Sequence, residues 1–166
     1  MSCRLLFSLL LLVLAACPGA NAQARLAIYG SVGGEKSGLS NQGWTTAGTV
    51  GLYVGATNLG PLAIAVDARG DFATNSRSFT VGPRLALHFP VFPLKPYSEI
   101  LIGQTSYDKT SSGLNPGGKF SASYVGGIDT TIFPHLDWRI FDFTYGLDTQ
   151  GGDRRKALTT GLVLRF

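Results

Sequence analysis

Through several long stretches of this chain the apolar residues recur at every second position, and that period excludes most alternative folds. A helix repeats its apolar face about every 3.6 residues, whereas a strand with one dry and one polar face repeats every two. In residues 62–72, LAIAVDARGDF, the residues Leu62, Ile64, Val66, Ala68 and Phe72 point one way. Ala63, Ala65, Asp67, Arg69 and Asp71 point the other. Residues 79–89 repeat the pattern, with Val81, Leu85, Leu87 and Phe89 set against Thr80, Gly82, Arg84 and His88. Ile100 and Ile102 oppose Tyr97, Glu99, Gly103 and Thr105, and Tyr124 and Ile128 oppose Ser121, Ser123, Gly127 and Asp129.

With further segments near 24–33, 45–56, 138–146 and 156–166, the alternation predicts eight strands. Several are long enough to cross a bilayer when tilted, which takes about 9–11 residues. Their connections alternate in character. GEKSGLSNQGW and DKTSSGLNPGG are Gly- and Ser-rich loops, while TNLGP, PVFPLK and FPHLD are compact; only the short TNSR breaks the rule. An even number of antiparallel strands with long loops at one end and tight turns at the other predicts an all-β, up-and-down transmembrane barrel of meander topology. Pro83 falls within a strand and has no N–H to donate, so a bulge beside Gly82 is expected there.

Aromatic residues fall at the strand ends. Trp44, Phe72, Phe79, Tyr107, Phe120 and Tyr145 mark the loop end, and Phe89, Phe92, Tyr97, Phe133, Trp138 and Phe166 the turn end. Two such bands are the girdles that amphipathic rings form at headgroup level.

The N-terminal residues read as a targeting segment. Arg4 precedes an apolar run from Leu5 to Ala16, shorter than the about 20 residues of a spanning helix, and Ala20-Asn21-Ala22 has the form of a signal-peptidase site. LAAC at 14–17 offers the alternative of a lipoprotein signal over 1–16 with Cys17 lipidated. Residues 1–22 are thus expected to be a cleaved signal and 23–166 a single barrel domain. Both cysteines, Cys3 and Cys17, lie in this leader, so cleavage after Ala22 leaves no disulfide framework, thiol nucleophile or thiolate metal site. The net charge of +4 is dispersed along the chain, which argues against nucleic acid as a partner.

Eight strands enclose an interior that side chains fill, so the polar face becomes a packed lumen. Asp67, Arg69, Arg84, Glu99 and Asp129, with Asp71, are expected there as a network of ion pairs, because an isolated buried charge is costly. No cofactor and no catalytic constellation are expected. His88 reads as a hydrogen-bonding lumen residue and His135 as a solvated turn residue, and neither has the Ser or carboxylate neighbours that catalysis or a metal requires. The RGD at 69–71 lies within a strand with Arg69 turned inward, so it does not read as an adhesion motif. At the loop rim, Arg77, Lys109, Lys119, Arg154, Arg155 and Lys156 form a basic set suited to lipopolysaccharide phosphates, with Glu35, Asp108, Asp148 and Asp153 interspersed.

The final segment, Thr159-Thr160-Gly161-Leu162-Val163-Leu164-Arg165-Phe166, resembles the C-terminal assembly signal of outer-membrane barrels. Thr159, Gly161, Leu164 and Phe166 occupy its polar, glycine, apolar and aromatic positions. From about residue 24 onward the chain is similar to the small eight-stranded bacterial outer-membrane barrels of the OmpA/OmpX type, with GPRLALHFP, LKPYSEILIGQ and YVGGID carrying the diffuse part of the likeness. The resemblance implies insertion by the outer-membrane assembly machinery. It also implies a monomer in the outer membrane of a Gram-negative-type bacterium, acting without catalysis in envelope structure or surface interaction through its loops. The competing expectation is a soluble or lipid-anchored lipocalin-like barrel with a small apolar ligand inside, which requires the reverse arrangement of charge and apolar side chains.

Overall fold

The computed structural model of the chain describes residues 26–36, 43–74, 76–88, 93–107, 118–148 and 154–166. The expected signal segment and Lys109 lie outside them. Eight strands follow one another: β1 (Leu26–Lys36), β2 (Thr45–Leu59), β3 (Leu62–Ala73), β4 (Ser76–Leu87), β5 (Leu94–Tyr107), β6 (Lys119–Phe133), β7 (Leu136–Asp148) and β8 (Arg154–Arg165). Each pairs antiparallel with the next, and β8 returns to β1 from Ala27↔Arg165 to Lys36↔Lys156, closing a meander barrel. Closure leaves no edge strand, so the ladder consumes the backbone polar groups that an apolar surrounding could not satisfy.

Alternation along each strand sorts the residues between two faces. On β3 the buried Asp67, Arg69 and Asp71 alternate with the exposed Val66 and Phe72. On β8 the outward row is Leu158, Thr160, Leu162, Leu164, and Phe166 lies just beyond the strand on the same face. Thr160 is the polar member of that row, and its hydroxyl is doubly engaged. It donates to the Arg139 carbonyl at 2.9 Å and accepts from Trp138 Nε1 at 3.1 Å.

Several strands reach beyond their expected bounds, β1 to Lys36, β4 back to Ser76 and β8 back to Arg154. The bulge expected beside Gly82 is absent. The β4–β5 ladder is interrupted at Gly82 and Pro83, yet the register of Val81↔Ile102 continues unchanged at Arg84↔Glu99. On the other side Val66↔Pro83 stays in register as well. The strand accommodates a missing donor by omitting ladder contacts rather than by adding a residue. Register shifts occur elsewhere, between Gly55 and Thr57 on β2, within Thr131–Phe133 on β6 and between Arg139 and Asp142 on β7. The β7 shift re-aims that strand, so that both Arg139 and Asp142 face inward.

Two turns require a left-handed residue. Gly60 supplies it at φ 62°, and His135, after Pro134, adopts φ 70°. His135 is held there by β8: the Arg165 N–H donates to the His135 carbonyl at 2.8 Å, and His135 Nδ1 lies 3.1 Å from the Arg165 carbonyl oxygen.

The β1–β8 seam is drawn tight by glycines. A Cβ on Gly161 would meet the Gly30 carbonyl oxygen and stand 2.5 Å from Ser31 Cα, and one on Gly33 would stand 2.7 Å from Thr159 Cα. Gly161→Val is therefore expected to cost about 1–3 kcal/mol through overpacking. Purified protein refolded in detergent, with no assembly machinery present, tests this through its urea midpoint. An unchanged midpoint would show that the seam has room and that Gly161 serves only as a recognition element.

Candidate functional site

The inward positions of every strand but β2 bring charged side chains into one interior. Near the loop end, Arg155 Nη2 meets Asp71 Oδ2, and Arg155 Nε lies 3.5 Å from Glu35 Oε2. Hydroxyls complete this group: Ser78 and Thr49 donate to Asp71 at 2.9 and 2.8 Å, and Ser76 donates to Glu35 at 2.6 Å. Glu35 and Arg155 are almost fully buried, which corrects their expected place among exposed rim charges. Arg155 is consequently no candidate for a lipopolysaccharide contact.

At mid-height the network is densest. Arg69 pairs with Asp142 at 2.7 Å and donates to the Tyr29 hydroxyl and Thr144, while Tyr29 in turn donates to Asp67 at 3.0 Å. Asp142 also receives Tyr97 OH at 2.6 Å and Arg139 at 3.3 Å. Arg139 continues to Asp129 at 3.0 Å, and Arg84 joins Asp129 at 2.8 Å to Glu99 in a second, short contact. The guanidinium planes stack on tyrosine rings, Arg84 at 3.7 Å from the Tyr97 centroid and Arg139 at 4.1 Å from that of Tyr29. Such stacking suits arginine, whose planar, weakly hydrated charge tolerates burial better than an ammonium.

The structure thus gathers Asp67, Arg69, Arg84, Glu99, Asp129 and Asp71 in the interior. It adds residues that the sequence reading did not single out: Tyr29, Tyr53, Arg139 and Asp142. Tyr97 is also interior, 5% exposed, which corrects its assignment to the turn-end girdle. Trp44, Phe72, Phe79, Phe120, Phe133, Trp138 and Phe166 do face outward, and Tyr145 is half-buried with Lys156 Nζ 6.0 Å from its ring centroid. Phe89, and the side chain of Tyr107, lie outside the described residues.

Toward the turn end the interior widens into a cavity of about 760 Å³, walled by small residues such as Ala27, Ala63, Ala65 and Ala86. Asp137 sits at its side with Lys95 and Arg165 each 2.9 Å from a different carboxylate oxygen. His88 lines this mouth and is exposed, so it is not the interior residue that alternation suggested. Thr159 is buried, Gly161 lies at the seam, and Leu164 and Phe166 face outward. Of the basic rim set, Arg77, Arg154 and Lys156 are exposed and Lys119 is half-buried.

Three solved structures show how widely this architecture is shared. The chain matches Neisserial surface protein A (NspA) with a TM-score of 0.60 at 14% identity, covering 85% of this chain and 97% of that one. It matches the N-terminal β-barrel domain of Pseudomonas aeruginosa OprF with a TM-score of 0.61 at 10% identity, covering 87% and 98%. For the outer membrane enzyme PagL the TM-score is 0.57 at 14% identity, covering 83% and 98%. No protein-family model matches the sequence, and no curated protein does. The fold is that of the small eight-stranded outer-membrane barrels. One of the three is an enzyme, so the architecture alone assigns no chemistry.

Arg139 is the keystone of the interior because it touches both Asp129 and Asp142. Arg139→Met removes one of two arginines from each of Asp129 and Asp142, leaving them Arg84 and Arg69, and is expected to cost about 2–3 kcal/mol, the loss of a charged hydrogen bond. Arg77→Gln on the outer wall should stay within about 0.5 kcal/mol. Urea unfolding of the two variants in the same detergent makes the comparison, and equal stability would contradict the network's role.

Proposed function

We propose that the chain is an integral outer-membrane barrel of a Gram-negative-type bacterium, monomeric and non-enzymatic, that presents its loops to the surroundings of the cell. Its role is in envelope structure or surface interaction. One observation carries this reading: the arrangement of side chains is inverted relative to a soluble barrel. Val50, Val66, Phe79, Ile100, Tyr124 and Leu162 are each more than half exposed, while Arg69, Arg139, Asp67, Glu99 and Asp137 are almost completely buried. In water that outer surface would be a continuous apolar patch far beyond what a soluble monomer carries. In a bilayer it is the lipid-facing belt.

The lipocalin-like alternative needs an apolar cavity within the barrel, whereas the cavity here lies at the turn end beside Lys95, Asp137 and Arg165, and ion pairs occupy the mid-height interior. The non-catalytic reading is supported by the engagement of Asp71, Asp129 and Asp142 in ion pairs with arginines inside the barrel. His88 and His135 lie at the turn end, and among the described residues no group of His, Cys, Asp and Glu is placed to hold a metal ion. Export through the N-terminal signal and insertion by the barrel assembly machinery complete the proposal, with Thr159, Gly161, Leu164 and Phe166 as the recognised terminus. Lys119, Arg154 and Lys156 are the proposed contacts to lipopolysaccharide.

Two measurements test it. Planar-bilayer recordings of the refolded protein are expected to show no resolved conductance steps, and Glu99→Gln should not create them. Long-lived openings in the unmodified protein would contradict a side-chain-filled lumen. Deleting Phe166 is expected to lower the level of folded protein in the outer membrane while leaving refolding in detergent intact. Normal membrane levels of the truncated chain would overturn the proposed address.

A further inference from the structure

The outward-facing cations are not spread evenly round the loop end. On the β1–β8 seam Lys36 and Lys156 occupy directly opposed positions, and both are exposed. Arg154 precedes Lys156 by two residues on β8 and so shares its outward face. Among the described residues of the wall formed by β3, β4 and β5, by contrast, Arg77 stands between Phe72 and Ser106 as the single outward cation. Among the described residues the seam cations have no outward acid beside them. Glu35, Asp67, Asp71, Glu99, Asp129, Asp137 and Asp142 are all turned into the barrel, so no acid among the described side chains faces outward.

Like charges directly opposed across an antiparallel pair destabilise it. Lys156 Nζ also stands 6.0 Å from the Tyr145 ring centroid on β7, so an aromatic face flanks the seam cations. Two opposed lysines with an arginine two residues along are placed to converge on an anion that carries more than one negative charge. The wall just below is apolar. Gly34 has no side chain, and its Cβ position lies 3.1 Å from the Trp44 ring, so the indole is laid against the barrel surface. Leu158, the cross-strand partner of Gly34, is exposed beside it. The outward row of β8 therefore changes from apolar to cationic between Leu158 and Lys156.

We propose that Lys36, Lys156 and Arg154, above the Trp44–Leu158 wall, form a single-sided site for the phosphorylated headgroup of an outer-leaflet lipid, seated at the β1–β8 seam. The inference rests on the outer-membrane reading and narrows it, from a basic rim to one wall of the barrel. Phosphate accepts charge-assisted hydrogen bonds from all three side chains, and the acyl chains lie along the apolar row beneath. The site also offsets the repulsion at the seam where the barrel closes.

The test uses full-length mature protein folded in dodecylmaltoside, with bis-phosphorylated lipid A as probe and native mass spectrometry as readout. Dephosphorylated lipid A and inorganic pyrophosphate serve as the two comparison ligands. Retention of the bis-phosphorylated lipid is expected to fall by about tenfold or more in Lys36→Gln/Lys156→Gln, and to change less than about twofold in Arg77→Gln. Lys36→Arg/Lys156→Arg, which keeps the charge, should retain it. Equal loss in the Arg77→Gln variant, no preference over dephosphorylated lipid, or equal competition by pyrophosphate would overturn the site. Unboiled gel mobility separates the two levels of the argument. A protein that folds in detergent yet shows no phosphate preference removes this inference alone, whereas one that does not fold there removes the outer-membrane reading with it.

Discussion

Pairing of β8 with β1 is the constraint on which the rest of the barrel depends. Without it, two strands would expose unpaired N–H and C=O groups to an apolar surrounding, at a cost of several kcal/mol for each group left unsatisfied there. Closure then dictates the interior. Eight strands leave a narrow bore, and since the outer wall is the apolar one, the side chains that fill it at mid-height are polar. Polar filling in turn has to be internally satisfied. The chain solves this with arginines that each reach two or more partners: Arg84 to Glu99 and Asp129, Arg139 to Asp129 and Asp142, Arg155 to Asp71 and Glu35. Small residues at the seam, Gly33 and Gly161, permit the close approach that brings the ends of the sheet together.

Much of this was legible from alternation alone. The phase set by Leu62, Ile64 and Val66 places Asp67, Arg69 and Asp71 inward, and the phase set by Ile100 and Ile102 places Glu99 inward; the interior holds all of them. The same rule, applied consistently, also turns Tyr97 inward and, counted back from Leu158, Arg155. For both, phase along the strand decides the face, and nearness to a strand end does not. Glu35 is inward because β1 runs on past it to Lys36. An ion pair with Arg155 explains why the strands continue this far: each charge supplies the other's buried partner.

Asp142 and Arg139 were hidden for a different reason. Strict alternation cannot put both inward, because they are three residues apart. The register shift on β7 reconciles them, and its trace in the sequence is the adjacent pair Ile140-Phe141, two apolar residues where alternation allows one. The carbonyl of Arg139 beside this shift is taken up by Thr160, which explains a hydroxyl in an otherwise apolar outward row. Pro83 was misleading in the opposite sense. A missing donor was expected to force an extra residue, yet the ladder simply lapses there and resumes in register. What no pattern of period two conveys is which inward charges meet, since partners such as Arg69 and Asp142 lie on β3 and β7, across the bore rather than side by side.

The account makes the outer wall a lipid-facing surface bounded by aromatic residues, and the two tryptophans report on it directly. Trp44 and Trp138 are the only tryptophans in the sequence, both are exposed on the outer wall, and they stand near opposite ends of the barrel. Tryptophan fluorescence of the protein refolded into vesicles of lipids brominated at defined acyl depths measures their surroundings. The account predicts strong quenching, greatest for bromines near the headgroups and weak for bromines at the bilayer centre. Fluorescence indifferent to brominated lipid at every depth, from a protein that stays folded without detergent, would contradict it.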